Sequence, residues 1–377
     1  MPNRQDPEEE NVPPRYGTKT TGTPRNGQSD PDRPTSLTWG PRKRPNLHTD
    51  PLIHHGRHFG RAVYAFANIQ ALVLSGLNAD EDSPPETQQL SSAERRELRV
   101  FKKLLAMVPD LEKRLMTSSE EDVMAIASML QKGASSGRSD DTKSLKGVVL
   151  DWIGPLDPPL ARNVKQSRGF HHDRTGFLLC PPELDWSDSD IRKQLRNKEL
   201  TISGSHWPIF VYKNETYDPE APWKGLFRNE LLVKGFKHIF TSPSSVDDEP
   251  KATRSGNARI HGMTQISPAA LAYTFTQVRF ALSSAGVFSR TDAETDSETF
   301  YTSVLKLLED PEEQDEVRPL ILWWNQRIFP SFSTARRMAP TSSALSKIKQ
   351  RRRVLMDNVA KEDCWAVGTS TSLLRNP

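Results

Sequence analysis

The chain has 377 residues, of which 35% are hydrophobic, 26% are charged, 29 are proline and two are cysteine. This length is typical of two or three domains, whereas the hydrophobic share is below that of an average globular chain, so we expect part of the chain to lie outside any packed core. The two cysteines, Cys180 and Cys364, exclude a disulfide framework and a zinc site built from cysteines alone. The composition also excludes a chain that is disordered, collagen-like or membrane-embedded throughout.

The shortage of apolar residues is concentrated at the two ends. Residues 1–50 contain nine prolines and only six apolar residues, and residues 331–377 have a similar polar character. Neither segment can bury enough surface to offset its ordering entropy, so we predict disordered termini. The first residues include no apolar h-region, so they do not fit a signal peptide, and we expect an intracellular protein.

The net charge of +3 is distributed unevenly: residues 1–50 carry +1, residues 51–330 carry −4 and residues 331–377 carry +6. Much of the positive charge lies in one run of the tail, which contains Lys347, Lys349, Arg351, Arg352 and Arg353. Such a run is typical of nuclear-import signals and nucleic-acid-binding tails, and solvated disordered charge accounts for it equally well. The acidic body argues against a folded surface built for DNA phosphates.

The first helical region is predicted over residues 51–153. Apolar residues at three- and four-residue spacing indicate a core helix in the uncharged stretch 62–79, which polar residues interrupt too often for a membrane span. Ser91 and Glu94 match a capping box that begins the next helix.

A further helix is predicted to begin at Ser119, where acidic residues suit the helix macrodipole, and to end at Gly133. The Ser/Gly/Asp-rich residues 133–143 that follow are interpreted as a linker.

The second helical region is predicted over residues 154–330. A short strand is expected at 177–180 and an edge strand or anchored segment at 206–212, where an internal proline interrupts β-branched and aromatic residues. Helices are predicted over 191–200, 223–240, 271–282, 300–308 and 317–328. The fold class is therefore mainly α: an irregular helical body with a long polar central loop region and disordered termini.

Several long motifs in this second region resemble one family. They are Arg168–His171, Thr175–Pro181, Lys237–Val246, Ala252–Thr264, Gln277–Ser284, Phe288–Asp292, Phe300–Tyr301 and Trp323–Asn325. Over about residues 168–330, the chain resembles an uncharacterised, multi-copy family of mushroom-forming (basidiomycete) fungi known as a domain of unknown function. The resemblance implies no activity and supplies no catalytic or binding residues.

Two patterns of reactive residues lack the context that their chemistry requires. Gly133–Gly137 matches the G-x-S-x-G nucleophile pattern, but no strand precedes it. Several residues have the atom types that bind zinc or iron, but none has ligand spacing, so we predict no metal site and no cofactor. These residues are His171, His172, Asp173, Cys180, His206, His238 and His261.

The polar segment 241–267 lies between two predicted helices and is long for a loop without structure of its own. Its candidate anion- or ligand-binding residues are Arg254, Asn257, Arg259 and His261, because forked guanidinium donors near a glycine-containing turn suit phosphate or carboxylate. The alternative, which we favour, is an ordered structural loop whose arginines pair with carboxylates of the body.

Two classes of function remain. We favour an intracellular interaction protein that has an unidentified protein partner, no membrane association and a basic tail that can contact nucleic acid, with the nucleus favoured over the cytoplasm. The alternative is an enzyme or anion-binding protein that uses a polar centre around Arg254, Arg259 and His261. Because the sequence contains no established catalytic motif, we do not assign catalytic residues.

Overall fold

A computed structural model describes residues 51–78, 91–242, 245–246, 256–291, 295–330, 347–348 and 350–352. These residues form a mainly α fold, as predicted, and contain no β-strand beyond a single isolated pairing between Tyr212 and Leu226. The predicted disorder of residues 1–50 lies outside the described residues, as does most of the tail. Within the tail, residues 347–348 and 350–352 are helical and exposed.

The α-helices are α1 (Pro51–Ala62), α2 (Ile69–Leu77), α3 (Ser92–Met107), α4 (Leu111–Thr117), α5 (Glu120–Trp152), α6 (Asp173–Leu179), α7 (Ser189–Asn197), α8 (Glu230–Phe236), α9 (Asn257–Ile260), α10 (Pro268–Leu282), α11 (Ser297–Glu309) and α12 (Gln314–Ile328). Short 3-10 helices span Gly169–His171, Ile209–Val211 and Lys213–Glu215, and a π-helical turn, Lys237–Thr241, follows α8.

The predicted linker over 133–143 is wrong, because α5 continues without a break to Trp152. Gly133 does not end the helix. It lies where α1 crosses α5, and a Cβ atom at this position would lie 2.3 Å from the carbonyl oxygen of Ile53. The glycine therefore permits close approach of two helices, and the G-x-S-x-G match lies inside a helix, where it cannot form a nucleophile elbow.

The apolar core has two clusters, and α5 contributes to both. Val123 to Ala134 of α5 pack with residues of α1 to α4, whereas Leu145 to Leu150 pack with the helices that follow. The centre of the second cluster is α10, in which every residue from Ala269 to Leu282 is buried. The predicted division of the chain at residues 153 and 154 stays a prediction.

Other corrections concern where helices begin. The predicted helix over 62–79 is divided, because α1 ends at Ala62 and Asn68 caps a new helix by accepting from the backbone N–H of Ala71. The residues predicted as a strand at 177–180 form the last turn of α6 and the residue that ends it. This helix begins after His172, whose Nδ1 accepts a hydrogen bond from the backbone N–H of Arg174. Within the described part of the chain, no helix is both long enough and apolar enough to cross a membrane.

Candidate functional site

The helix predicted over 223–240 begins only at Glu230, and the residues before it form an ordered surface loop. Asn229 fixes the end of this loop: its side chain accepts from the backbone N–H of Leu231 and donates to the carbonyl of Tyr212. Near its centre, Gly225 has a φ of +77° and Phe227 a φ of +55°. Left-handed backbone at a bulky residue such as Phe227 is rare and strained, so surrounding contacts must hold it.

Those contacts are aromatic. Phe227 is fully buried, its ring centroid lies 5.0 Å from those of Trp207 and Phe275, and its carbonyl accepts a hydrogen bond from Nε1 of Trp324 at 3.1 Å. Burial of a phenylalanine ring stabilises the fold by about 2–3 kcal/mol, which is enough to offset one strained residue. Phe227 therefore anchors the loop to the core and leaves Trp223 exposed and Leu226 half-buried.

The loop forms one wall of a groove whose other wall is α12 and the end of α11. We call this the aromatic groove, and its volume is about 250 Å³. Its principal residues are Trp207, Tyr212, Pro222, Trp223, Leu226, Arg228, Glu313, Glu316, Val317 and Leu320. Trp223 is 57% exposed, which is unusual because tryptophan side chains are highly buried on average.

Charge in the groove is asymmetric. Glu313 and Glu316 line it near the start of α12, and among the described residues neither carboxylate has an ion-pair partner. Arg228 lies on the loop side, 5.9 Å from the ring centroid of Trp323. Burial and the nearby Tyr217 and Glu183 raise the pKa of Tyr212 to about 12, so its hydroxyl stays neutral. The groove thus combines an apolar floor with two free carboxylates.

Two of the residues predicted for the 241–267 segment, Asn257 and His261, are used in packing. Asn257 begins α9 and donates from Nδ2 to the carbonyl of Ile239 at 2.5 Å. The His261 ring stacks on that of His58, at 4.2 Å between centroids. Arg259 is exposed and has no ion pair with any described carboxylate, and Arg254 lies outside the described residues. Anion binding by these four residues, and the expected pairing of the two arginines, stay predictions.

The histidines singled out from the sequence have different partners among the residues that the structure describes. His238 bonds the Ser144 hydroxyl at 3.1 Å, and burial lowers its pKa although the charge of Asp141 opposes this. Burial, followed by the charges of His55 and Arg61, lowers the pKa of His261. His171 lies elsewhere, in a pocket beside α7. Among the described residues, no group of three or more His, Cys, Asp or Glu side chains is placed to hold a metal ion.

The groove residues were missed in the sequence, although Gly225 gave a signal. Glycine inside a predicted helix costs about 1 kcal/mol relative to alanine and often marks a turn, and Gly225 has a positive φ in the structure. The sequence offers no comparable signal for the opposite wall of the groove, because the position of Glu313 and Glu316 relative to Trp223 depends on how α12 packs against the loop.

Comparison with models of protein families gives a match. The model of a family of unknown function, DUF6698, matches residues 132–329, slightly more than half of the chain. This confirms the resemblance to a domain of unknown function and moves its start into α5. No curated protein and no solved structure matches the chain.

Proposed function

We propose that this chain, which belongs to the DUF6698 family of unknown function, is an interaction protein whose aromatic groove binds a proline-rich, positively charged segment of a partner protein. The observation that carries the proposal is the exposed Trp223 in a groove that also contains the free carboxylates of Glu313 and Glu316. The whole groove lies within the part of the chain that the family model matches.

The lining favours a proline-rich ligand because aromatic grooves take the polyproline II helix as a preformed shape. Such a ligand loses little conformational entropy on binding, and its pyrrolidine rings pack between aromatic side chains. Trp223 supplies an exposed aromatic side chain and Trp207 a half-buried one, whereas Tyr212 is buried at the base of the groove. The strained Phe227 fixes one wall in place before binding, which lowers the ordering cost of the complex.

The charge of the groove favours arginine or lysine beside the prolines. Glu313 and Glu316 are three residues apart at the start of α12, so their side chains lie on the same side of the helix. Both are exposed, and the body of the chain is acidic overall. A cationic ligand would therefore be attracted during approach and would find two carboxylate acceptors on arrival.

The test uses a fluorescein-labelled peptide of repeated Pro-Pro-Arg units and the matched peptide of Pro-Pro-Glu units, titrated with the full chain by fluorescence anisotropy. We expect the arginine peptide to bind more tightly than the glutamate peptide. Trp223→Ala should weaken arginine-peptide binding about thirtyfold, the usual loss for a tryptophan at the centre of an interface. Glu313→Gln with Glu316→Gln should reduce the preference for the arginine peptide.

Ile260→Ala is the matched control, because Ile260 is as exposed as Trp223 but lies on α9, away from the groove. Binding that Trp223→Ala leaves unchanged, or that Ile260→Ala weakens equally, would contradict the proposal.

The basic tail supports a second part of the proposal, which concerns location. Lys347, Arg351 and Arg352 are exposed on helical residues, whereas Lys349 and Arg353 lie outside the described residues. We propose that this run directs the chain to the nucleus or to nucleic acid. Replacing all five basic residues with Ala should reduce nuclear accumulation and salt-dependent DNA binding without lowering the melting temperature, and unchanged values of both would overturn this part.

We also infer that the family is a multi-copy family of mushroom-forming fungi. The motifs that support this inference are those between residues 168 and 330, and genome counts of related chains would test it.

A further inference from the structure

A pocket lies between α2, α3 and the residues around the start of α11. Its volume is about 240 Å³. Phe66, Leu72 and Val100 are buried and give it an apolar floor, and the half-buried Tyr64 adds an aromatic wall. Because this volume is below that of pockets for drug-sized ligands, the pocket suits one smaller molecule with an apolar body.

Two charged residues of the lining neutralise each other. Arg290 donates from Nε and Nη2 to the two carboxylate oxygens of Glu298, at 2.9 and 2.6 Å. The Arg290 guanidinium also lies 5.7 Å from the ring centroid of Phe66, so two contacts fix its position. This ion pair closes one side of the pocket and offers no net charge to a ligand.

Two further charged residues of the lining, Arg96 and Glu97, carry opposite charges. They are consecutive on α3, so their side chains leave the helix about 100° apart and do not face each other. Within the described part of the chain, the ion pair of α3 joins Lys103 to Glu309, and neither Arg96 nor Glu97 has an ionic partner. The pocket therefore presents one positive and one negative group beside an apolar floor.

This combination of charges selects the kind of ligand. A ligand with a single charge would be attracted by one of the two residues and repelled by the other. A ligand that carries both a carboxylate and an ammonium group gives Arg96 and Glu97 one charge-assisted hydrogen bond each. An α-amino acid carries these two groups on one carbon atom, and an aromatic side chain suits a pocket lined by Tyr64 and Phe66.

We propose that this pocket binds a free aromatic α-amino acid. The carboxylate lies toward Arg96, the ammonium group lies toward Glu97, and the ring packs against Tyr64 and Phe66. The described residues that line this pocket differ from those of the aromatic groove, so the proposal does not depend on the peptide ligand proposed above.

The test uses isothermal titration calorimetry of the full chain with three probes that share a phenyl ring. Phenylalanine carries both charged groups, phenylpropionate lacks the ammonium group and phenylethylamine lacks the carboxylate. We expect phenylalanine to bind most tightly of the three, because it alone satisfies both Arg96 and Glu97. Phenylalanine that does not bind at concentrations up to about 10 mM would overturn the proposal.

Two variants assign the charged groups. Arg96→Gln should weaken binding of phenylalanine and phenylpropionate about tenfold and should not weaken binding of phenylethylamine. Glu97→Gln should weaken binding of phenylalanine and phenylethylamine by a similar factor and should not weaken binding of phenylpropionate. The controls are Arg95→Gln and Glu112→Gln, which remove exposed charges outside the pocket and should leave binding of all three probes unchanged.

Two further variants identify the place of binding. Ala71→Trp puts a bulky ring into the pocket from an exposed position on α2, so it should abolish binding of phenylalanine. Trp223→Ala alters the aromatic groove and should leave phenylalanine bound. Equal effects of Arg96→Gln and Arg95→Gln on phenylalanine would overturn the proposal, as would loss of phenylalanine binding in Trp223→Ala.

Discussion

The imidazole rings of His58 and His261 lie face to face, 4.2 Å apart and within 6° of parallel. His58 is on α1 and His261 follows α9, so the stack joins the first described helix to the segment before α10. Burial and neighbouring positive groups, among them His55 and Arg61, lower the pKa of His58 to about 3 and that of His261 to about 4. Both rings are therefore neutral in the folded chain near neutral pH.

This relationship predicts acid sensitivity. Because the unfolded histidines titrate at their ordinary pKa near 6.5, the unfolded chain binds protons below that pH while the folded chain does not. Stability is therefore lost as the pH falls below about 6.5. The buried His58 contributes a loss of about 2 kcal/mol at pH 5, and His261 contributes less because solvent partly screens it. Urea unfolding from pH 7.5 to 4.5 measures this slope, and His58→Phe should make it shallower.

His206→Gln is the control for that experiment, because His206 is exposed and far from the stack in the sequence. His206→Gln should leave the pH dependence of the free energy of unfolding unchanged. A His58→Phe protein with the same pH dependence as the original chain would show that the stacked histidines do not determine its acid sensitivity.

A second prediction concerns the buried ion pair of Arg61 and Asp141, near this stack. Arg61 donates from Nε and Nη2 to both oxygens of Asp141, at 2.7 and 2.8 Å, and the Tyr273 hydroxyl donates to the same carboxylate at 2.6 Å. Asp141→Asn leaves a buried guanidinium without its counter-charge, so it should lower the free energy of unfolding by about 3–5 kcal/mol.

The neighbouring residue supplies the control. Asp140 also pairs with an arginine of α1, Arg57, at 2.6 Å, but its side chain is 60% exposed. Solvent screens this pair, so Asp140→Asn should cost less than about 1 kcal/mol. Denaturant unfolding measures the free energy of unfolding of both variants. Similar losses in the two would mean that burial does not determine how much each ion pair contributes to stability.

Local elements could be predicted from the sequence, whereas contacts between distant residues could not. The Ser91–Glu94 capping box and the stripe of α10 each depend on neighbours within one or two turns, and both are present. The His58–His261 stack and the aromatic groove depend on how helices cross, which periodicity does not encode. The same limit explains the error at Gly133, where tertiary packing overrode the tendency of glycine to end a helix.

A third prediction concerns Gln277 in the middle of α10. Its side chain is 1% exposed, and neither its amide nitrogen nor its oxygen has a hydrogen-bond partner among the described residues. A buried polar group without a partner costs about 1–3 kcal/mol, so Gln277→Met, which keeps the shape, should raise the free energy of unfolding. Gln131→Met should do the opposite, because Gln131 accepts from the backbone N–H of Ile69. Destabilisation by both substitutions would contradict this account.

The last prediction compares two glycines within α5. Alanine normally stabilises a helix interior by about 1 kcal/mol relative to glycine. At Gly147, a Cβ atom would meet only the Cβ of Arg162 at 3.9 Å, so Gly147→Ala should raise the melting temperature. At Gly133, the same atom would lie 2.3 Å from the Ile53 carbonyl oxygen, and backbone cannot move aside as a side chain can. Gly133→Ala should therefore separate α1 from α5 and lower the melting temperature, whereas an increase like that at Gly147 would disprove the close helix crossing.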